Sequence, residues 1–318
     1  MTLYIREYKL EDAEQWDAFC NQAIQATFLH HRQFLSYHGE RFFDLSLKIE
    51  DNGNLVGVFP AAKDPKNKGA VISHPGITYG GILHCGYLRG ERIMNAFNAI
   101  VEHYAGQGYK NLLYKVIPII YHQAPAVDDI YALFRIGASR VRCDLSSTVD
   151  LAHRLPISKR RIRGLKKSQK AGIQIFDGLV FLPDLWPIIE YNLKLRHNVN
   201  PVHSLEEITM LASRFPENIK CVCAAVDKRV IAGSVLFLTP ITHHAQYIAS
   251  NHEGNSSSAL DMVFEYCITS AIKHGARFFD FGISTEDNGN KLNTGLFDFK
   301  SEFGAGTTVH EFYELKLS

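Results

Sequence analysis

His243-His244-Ala245-Gln246-Tyr247-Ile248-Ala249-Ser250 runs into Asn251-His252-Glu253-Gly254-Asn255-Ser256-Ser257-Ser258, and an apolar helical pattern starts at Ala259. The first segment ends as a strand, the second is small and polar, and the third keeps helical spacing to about His274. A helix start carries unpaired backbone N–H groups and a partial positive charge. Glycine and serine ahead of it let a ligand approach that backbone, so the pattern suits a pyrophosphate or a developing oxyanion. The plainer alternative is an ordinary helix cap with redundant serines.

Before this unit, Lys220 to Val226, Asp227-Lys228 and Val230 to Leu238 predict a hairpin; after it, Arg277 to Phe281 predicts a strand. Upstream, residues 158–171 predict a basic helix, Ile173 to Phe176 a strand, and Leu185 to Arg196 and Ser204 to Phe215 two helices. The first half has a similar rhythm. A strand over Leu3 to Tyr8 leads to a helix with Asp12 and Glu14 in its first turn. A hairpin follows around Asp51-Asn52-Gly53-Asn54, then the glycine-rich Pro75 to Gly81. Helix from about Gly90 to Gly106, strand from Leu112 to Ile120 and helix from Val127 to Ile136 complete it. The order recurs while the residues differ, which is a duplicated architecture and not a sequence repeat. The expected class is α/β with mixed sheets, in two domains, 1–152 and 153–318, divided where Pro156 and Ser158 stop one element and cap the next.

The chain has 318 residues, enough for two cores at about 150 residues each. Its formal net charge of +1 supplies no global attraction to nucleic acid or an anionic membrane, so anion binding must be local. The longest apolar runs, such as Ile231 to Leu238, are strand-length, well short of the ~20 residues a membrane-spanning helix needs. The start, Met1 to Glu7, lacks the basic-then-apolar layout of a secretory signal, so a cytoplasmic location is expected. Cys221 and Cys223 share one face of a strand, with no second pair or histidines at ligand spacing nearby; reduced thiols and no metal are expected.

The 243–274 segment with its flanking hairpin and strand resembles the cofactor-binding core of the GNAT acyltransferase superfamily. Phe279-Asp280-Phe281-Gly282, Gly289, Leu292-Asn293-Thr294-Gly295-Leu296 and Phe299-Lys300-Ser301-Glu302-Phe303-Gly304 resemble the second domain of its FemAB-like branch. So does the basic helix Arg160 to Gly172. The resemblance implies two tandem GNAT-like domains and transfer of acyl groups from CoA, or of amino acids from aminoacyl-tRNA, to amines. Ile117-Pro118, Tyr121-His122, Asp129 to Arg135, His197, Pro201, His203, Gln246 to Ala249 and Val309 to Tyr313 are similar to a subgroup of GNAT N-acetyltransferases of polysaccharide biosynthesis. Where the superfamily's phosphate loop usually reads Q/R-x-x-G-x-G/A, this chain has Glu253-Gly254-Asn255-Ser256.

Acyl transfer to an amine needs a proton acceptor, a stabilised oxyanion and a protonated leaving group. The resemblance implies a functional Lys300, able to meet an oxyanion or a phosphate; alternatively it pairs with Glu302 at a strand edge. His203 lies in a loop before a helix capped by Ser204 and Glu207, and is a candidate base. Glu302 is a second candidate base, and Asp280, at the end of a strand, a positioning carboxylate. His243 and His244 point to opposite faces of one strand, so at most one meets a site. Gln246, Tyr247, Ser250, Gly254, Asn255, Ser256, Ser257 and Ser258 are the expected donor-binding positions. The leading expectation is an N-acyltransferase using acyl-CoA (acetyl-CoA) as donor, with a small-molecule amine acceptor such as an amino sugar or nucleotide-sugar. The alternatives are an aminoacyl-tRNA-dependent transferase, with tRNA on the basic helix, and a non-catalytic glycan- or protein-binding module.

Overall fold

The computed structural model describes residues 3–317, the His197 side chain aside. The chain forms two compact units: Met1–Asp144 with Asp287–Lys291 and Val309–Ser318, and Leu145–Glu286 with Leu292–Thr308. No helix among the described residues is long and apolar enough to cross a membrane.

The first unit opens with β1 (Tyr4–Glu7), α1 (Ala13–Cys20), α2 (Arg32–Leu35), β2 (Leu47–Asp51) and β3 (Asn54–Phe59). It continues with β4 (Ala62–Lys63), β5 (Ala70–Ile72), α3 (Glu91–Gly106), β6 (Asn111–Lys115) and α4 (Asp128–Arg135), and holds the start of β7 (Ser139–Asp150). β1, β2 and β3 form an antiparallel meander. Its β2–β3 turn has positive φ at Asn52 and Gly53, the paired left-handed residues a tight hairpin requires. α3 buries Ile93, Ala96, Phe97, Ile100 and Tyr104, the i, i+3, i+4, i+7 stripe that drives an amphipathic helix onto a sheet. The expected strand to Ile120 stops at Lys115, because Pro118 has no N–H to continue a ladder.

The second unit contains the rest of β7, α5 (Lys159–Lys170), β8 (Gln174–Asp177), α6 (Leu182–His197), α7 (Leu205–Arg214), β9 (Ile219–Val226) and β10 (Arg229–Leu238). After these come β11 (Thr242–Ser250), α8 (His252–Ser257), α9 (Ala259–Lys273), β12 (Phe278–Ile283), β13 (Thr285–Glu286), β14 (Lys291–Leu292), α10 (Thr294–Ser301) and β15 (Gly306–Lys316). The last strand returns to the first unit, where Phe312–Lys316 pairs antiparallel with β6. Neither β7 nor β15 was expected from the sequence.

The second unit's strands follow the order β7-β12-β11-β10-β9-β8, antiparallel except for the parallel pair β11–β12. α9 covers one face: Val263, Phe264, Cys267 and Ile268 pack with Val222, Ala224, Leu236, Ala245, Phe279 and Phe281. α6 covers the other, with Leu185 lying over Gly233, where a Cβ would come within 2.9 Å of the leucine. A side chain at Gly233 would push this helix off the sheet.

Candidate functional site

The parallel ladder between β11 and β12 lasts three residue pairs, Thr242–Phe278, His243–Phe279 and His244–Asp280, although both strands continue. Two irregularities pull the strands apart. On β11, Val235 pairs with Tyr247 and Leu236 with Ala245, so Gln246 is an extra residue, a β-bulge. On β12, the register against β7 shifts between Asp280 and Ile283, around Gly282 with φ +79. The result is a fork at the carboxyl ends of two parallel strands, the usual place for ligands in such sheets.

The bulge also resets which way β11 faces. Phe279 and Phe281 pack on Phe264 of α9, so Asp280 between them points to the α6 face, and His244 bonds to Asp280 there. Tyr247 is an odd number of residues further on and would face α9 in a regular strand. With Gln246 inserted it faces α6, edge-on to Trp186 with ring centroids 5.3 Å apart. His244, Asp280 and Tyr247 therefore share one face.

Asp280 is fully buried. Its Oδ1 accepts from Ser146 Oγ at 2.6 Å and Thr148 Oγ1 at 2.7 Å, and its Oδ2 lies 2.8 Å from His244 Nδ1. His203 is buried, its Nδ1 2.7 Å from the Tyr247 hydroxyl, which also accepts from the His203 amide at 3.3 Å. Burial pushes the Tyr247 phenol up to about 12. The Ser204–Glu207 capping box forms as expected and anchors this loop to α7.

Lys300 is buried on α10, with Nζ donating to the Gly282 carbonyl at 2.9 Å and the Ile283 carbonyl at 2.7 Å. Burial lowers its ammonium to about 8, against the opposing pull of Asp280. It is neither at a strand edge nor paired with Glu302. Glu302 instead accepts from Arg161 Nε at 2.8 Å and lies 3.7 Å from Arg160. Arg161 is the buried member of the basic helix: its Nη1 also reaches both oxygens of Asp261 at 3.1 Å, and its guanidinium lies over Phe299 and Phe303. Burial raises the Asp261 carboxyl to about 6, which Arg161 only partly offsets. The remaining cations of α5, Lys159, Arg160, Arg163, Lys166, Lys167 and Lys170, are exposed.

The segment after Ser250 corrects an expectation. Asn251–Ser258 is no open loop of unpaired amides but the short helix α8 and its caps. Asn251 N donates to the Ile231 carbonyl, Gly254 N to Asn251 Oδ1, Asn255 N to the Asn251 carbonyl and Ser258 N to the Asn255 carbonyl. Ser256 and Ser257 turn their hydroxyls back to the Glu253 carbonyl, and buried Ser250 bonds to the Asn251 carbonyl. A Cβ on Gly254 would meet the Ile231 carbonyl and Ser250 Oγ at 2.5 Å, so this glycine allows chain to pack on chain. Ser168 of α5 donates to the Ser258 carbonyl at 2.7 Å, fixing the basic helix beside this turn.

Thus the structure brings His203 and Tyr247 together, and Asp280 close to Lys300. It separates Glu302 onto Arg161 and keeps the 251–258 segment against β10 and α5. Ser146 and Thr148 were not singled out from the sequence; His244 entered only as one of a pair of which at most one meets a site, and Arg161 only as one cation of the basic helix. Polar alternation at Ser146 and Thr148 is the one local signal that was available. Two buried donors beside the fork, Trp186 Nε1 and Ser284 Oγ, make no hydrogen bond. Buried groups of that kind are rare in native structures and are commonly completed by water or ligand.

Residues 159–301 match the family model described as Acetyltransferase (GNAT) domain. No curated protein matches the chain in sequence. Among solved structures, FemX superposes with a TM-score of 0.68 at 10% identity, over 98% of this chain and 96% of that one. L-PGS from Bacillus licheniformis gives 0.62 at 13%, over 97% and 92%. A tandem GNAT protein from the clavulanic acid biosynthesis pathway gives 0.54 at 10%, over 99% of each chain. The fold is the tandem GNAT fold, its second unit carries a GNAT acetyltransferase domain, and the chain is an acyltransferase.

Proposed function

We propose that the second unit transfers an acyl group from acyl-CoA, acetyl-CoA in the simplest case, to the amine of an amino sugar or a similar small polar acceptor. The observation that carries this reading is the fork between β11 and β12, lined by polar groups on one face and bounded by the buried Lys300. The donor's amide-bearing arm runs along the strand edge opened at Gln246, where main-chain groups can pair with it as a strand would. Its phosphates reach toward the turn beside α5, whose exposed cations supply the local positive field that a chain of net charge +1 otherwise lacks.

Lys300 spends two of its three N–H donors on the Gly282 and Ile283 carbonyls. The third faces the tetrahedral oxyanion formed when the amine attacks, and a desolvated ammonium is worth more there than in water. Tyr247, held by His203, forms the acceptor wall together with Trp186 and Ser284, whose spare donors suit sugar hydroxyls. Radiolabelled acetyl-CoA incubated with amino sugars and amino-sugar nucleotides tests the reading: label should move to an amine, and absence of both turnover and CoA binding rejects it.

The exposed cations of α5 also support a second reading, an aminoacyl-tRNA donor docked on that helix. Binding of charged tRNA that weakens steeply with salt, with no CoA binding, would favour it.

A further inference from the structure

We infer that His244 is the general base of the transfer and that Asp280, held by Ser146 and Thr148, is its positioning residue. The inference rests on the acyl-transfer reading above and names the group that this reading leaves open. Of the two candidates chosen from sequence, Glu302 is held by Arg161, and His203 has a phenol at its Nδ1 where His244 has a carboxylate able to stabilise an imidazolium. His244 stands at the last pair of the parallel ladder, where the strands part. Its side chain is 13% exposed, in contrast to the fully buried Asp280, so its ring borders the opening while its carboxylate partner stays dry. A Cβ placed on Gly282 would lie 3.3 Å from His244 Cε1 and 4.0 Å from Nε2, so the absence of a side chain there keeps the far edge of the ring clear.

The tautomer follows from the carboxylate's partners. Oδ1 is occupied by two hydroxyl donors, and an ionised carboxylate only accepts, so Nδ1 must carry the proton that faces Oδ2. Nε2 then presents a lone pair toward the fork. A neutral acceptor amine attacks the thioester carbonyl carbon, its nitrogen loses a proton to Nε2, and the C–N bond forms. The C–S bond breaks with its electron pair on sulfur, and the imidazolium returns the proton to the thiolate, giving amide and free thiol. Asp280 stabilises the transient imidazolium without itself taking a proton.

Two measurements test this. In imidazole-15N-labelled protein, His244 should show a protonated Nδ1 and an unprotonated Nε2. Asp280→Asn should reverse the two, since Ser146 and Thr148 keep the amide oxygen and leave its NH2 facing Nδ1. A wild-type His244 with its proton on Nε2 overturns the inference, whether or not any substrate has been found. With acetyl-CoA and a turned-over amino sugar, His244→Gln should lower kcat by about 10²–10⁴ while CoA binding stays within twofold. Imidazole in solution should restore part of the rate. A His244→Gln enzyme that folds, binds CoA and keeps kcat within twofold overturns it equally. If wild-type protein neither binds CoA nor acetylates any amine, the acyl-CoA reading falls, and the tautomer alone then decides whether the His244–Asp280 device stands.

Discussion

The Tyr247 hydroxyl lies 2.7 Å from His203 Nδ1, joining a loop ahead of α7 to the bulged strand β11. With the phenol pushed up to about 12 it stays neutral across the physiological range and bonds to the imidazole as a neutral hydroxyl. Tyr247→Phe removes this hydrogen bond from a buried pair and should cost about 1–2 kcal/mol in urea unfolding. Its kinetic effect should fall on KM for the amine and much less on kcat, because the wall binds acceptor before and during transfer alike. An unchanged KM would remove Tyr247 from the acceptor wall.

Lys300 makes stability depend on pH in a defined window. Its folded value of about 8 lies below the ordinary 10.5, so between them the unfolded chain binds more protons and stability rises with pH. Below pH 8 both states are protonated and the whole cost, about 3 kcal/mol, is present. Lys300→Met should therefore flatten the rise between pH 8 and 10 relative to wild type, read from urea midpoints. The same variant should lose about 10²–10³ in kcat through the missing oxyanion donor.

Arg161 holds two buried or half-buried carboxylates, Asp261 and Glu302, and stacks on two phenylalanines. Arg161→Ala leaves the buried Asp261 carboxyl without its cation, to be held either as an unpaired charge or as the protonated acid, and should destabilise the protein by about 3–5 kcal/mol. Chemical denaturation should reveal this loss, and substituting Asp261→Asn in the same chain should recover part of it. Additive losses would mean that the two residues do not act on one another.

The exposed face of α5 separates electrostatic docking from structure. Replacing Lys166 and Lys167 with glutamine should weaken CoA binding several-fold at low salt, and the difference should shrink at 0.5 M salt. Neither residue belongs to the buried Arg161 cluster, so melting temperature should move little. Equal loss at both salt concentrations would argue against a phosphate contact.

Much of the architecture was legible because it is local. The Asn52-Gly53 turn, the α3 stripe and the strand–turn–helix from His243 to Lys273 each carry their signal within a few residues. β7 and β15 escaped because Arg140, Arg142 and Asp144 break the apolar pattern at the start of one, and Glu311 and Glu314 interrupt the other. Arg140 and Glu311 form an ion pair at 2.7 Å that no short window reveals. For the candidate site, single residues could be picked from the sequence but their contacts could not. Asp280, Lys300, His203 and Tyr247 were chosen, yet the His244–Asp280 contact depends on a parallel register between strands 36 residues apart. The serines after Ser250 suggested an open cradle, and they formed a helix because Asn251 caps it and Gly254 fits against Ile231.

Gln246 shows how parity can govern chemistry. In a strand, even and odd positions choose opposite sides, and one surplus residue exchanges them for everything downstream. A deletion of this single codon would carry the Tyr247 ring to the side of α9 and bring Ile248 round to the polar side. On the proposed reading transfer would be lost with every proposed reactive group still encoded. The side of the sheet that Tyr247 shares with His244 and Asp280 is thus set by a count.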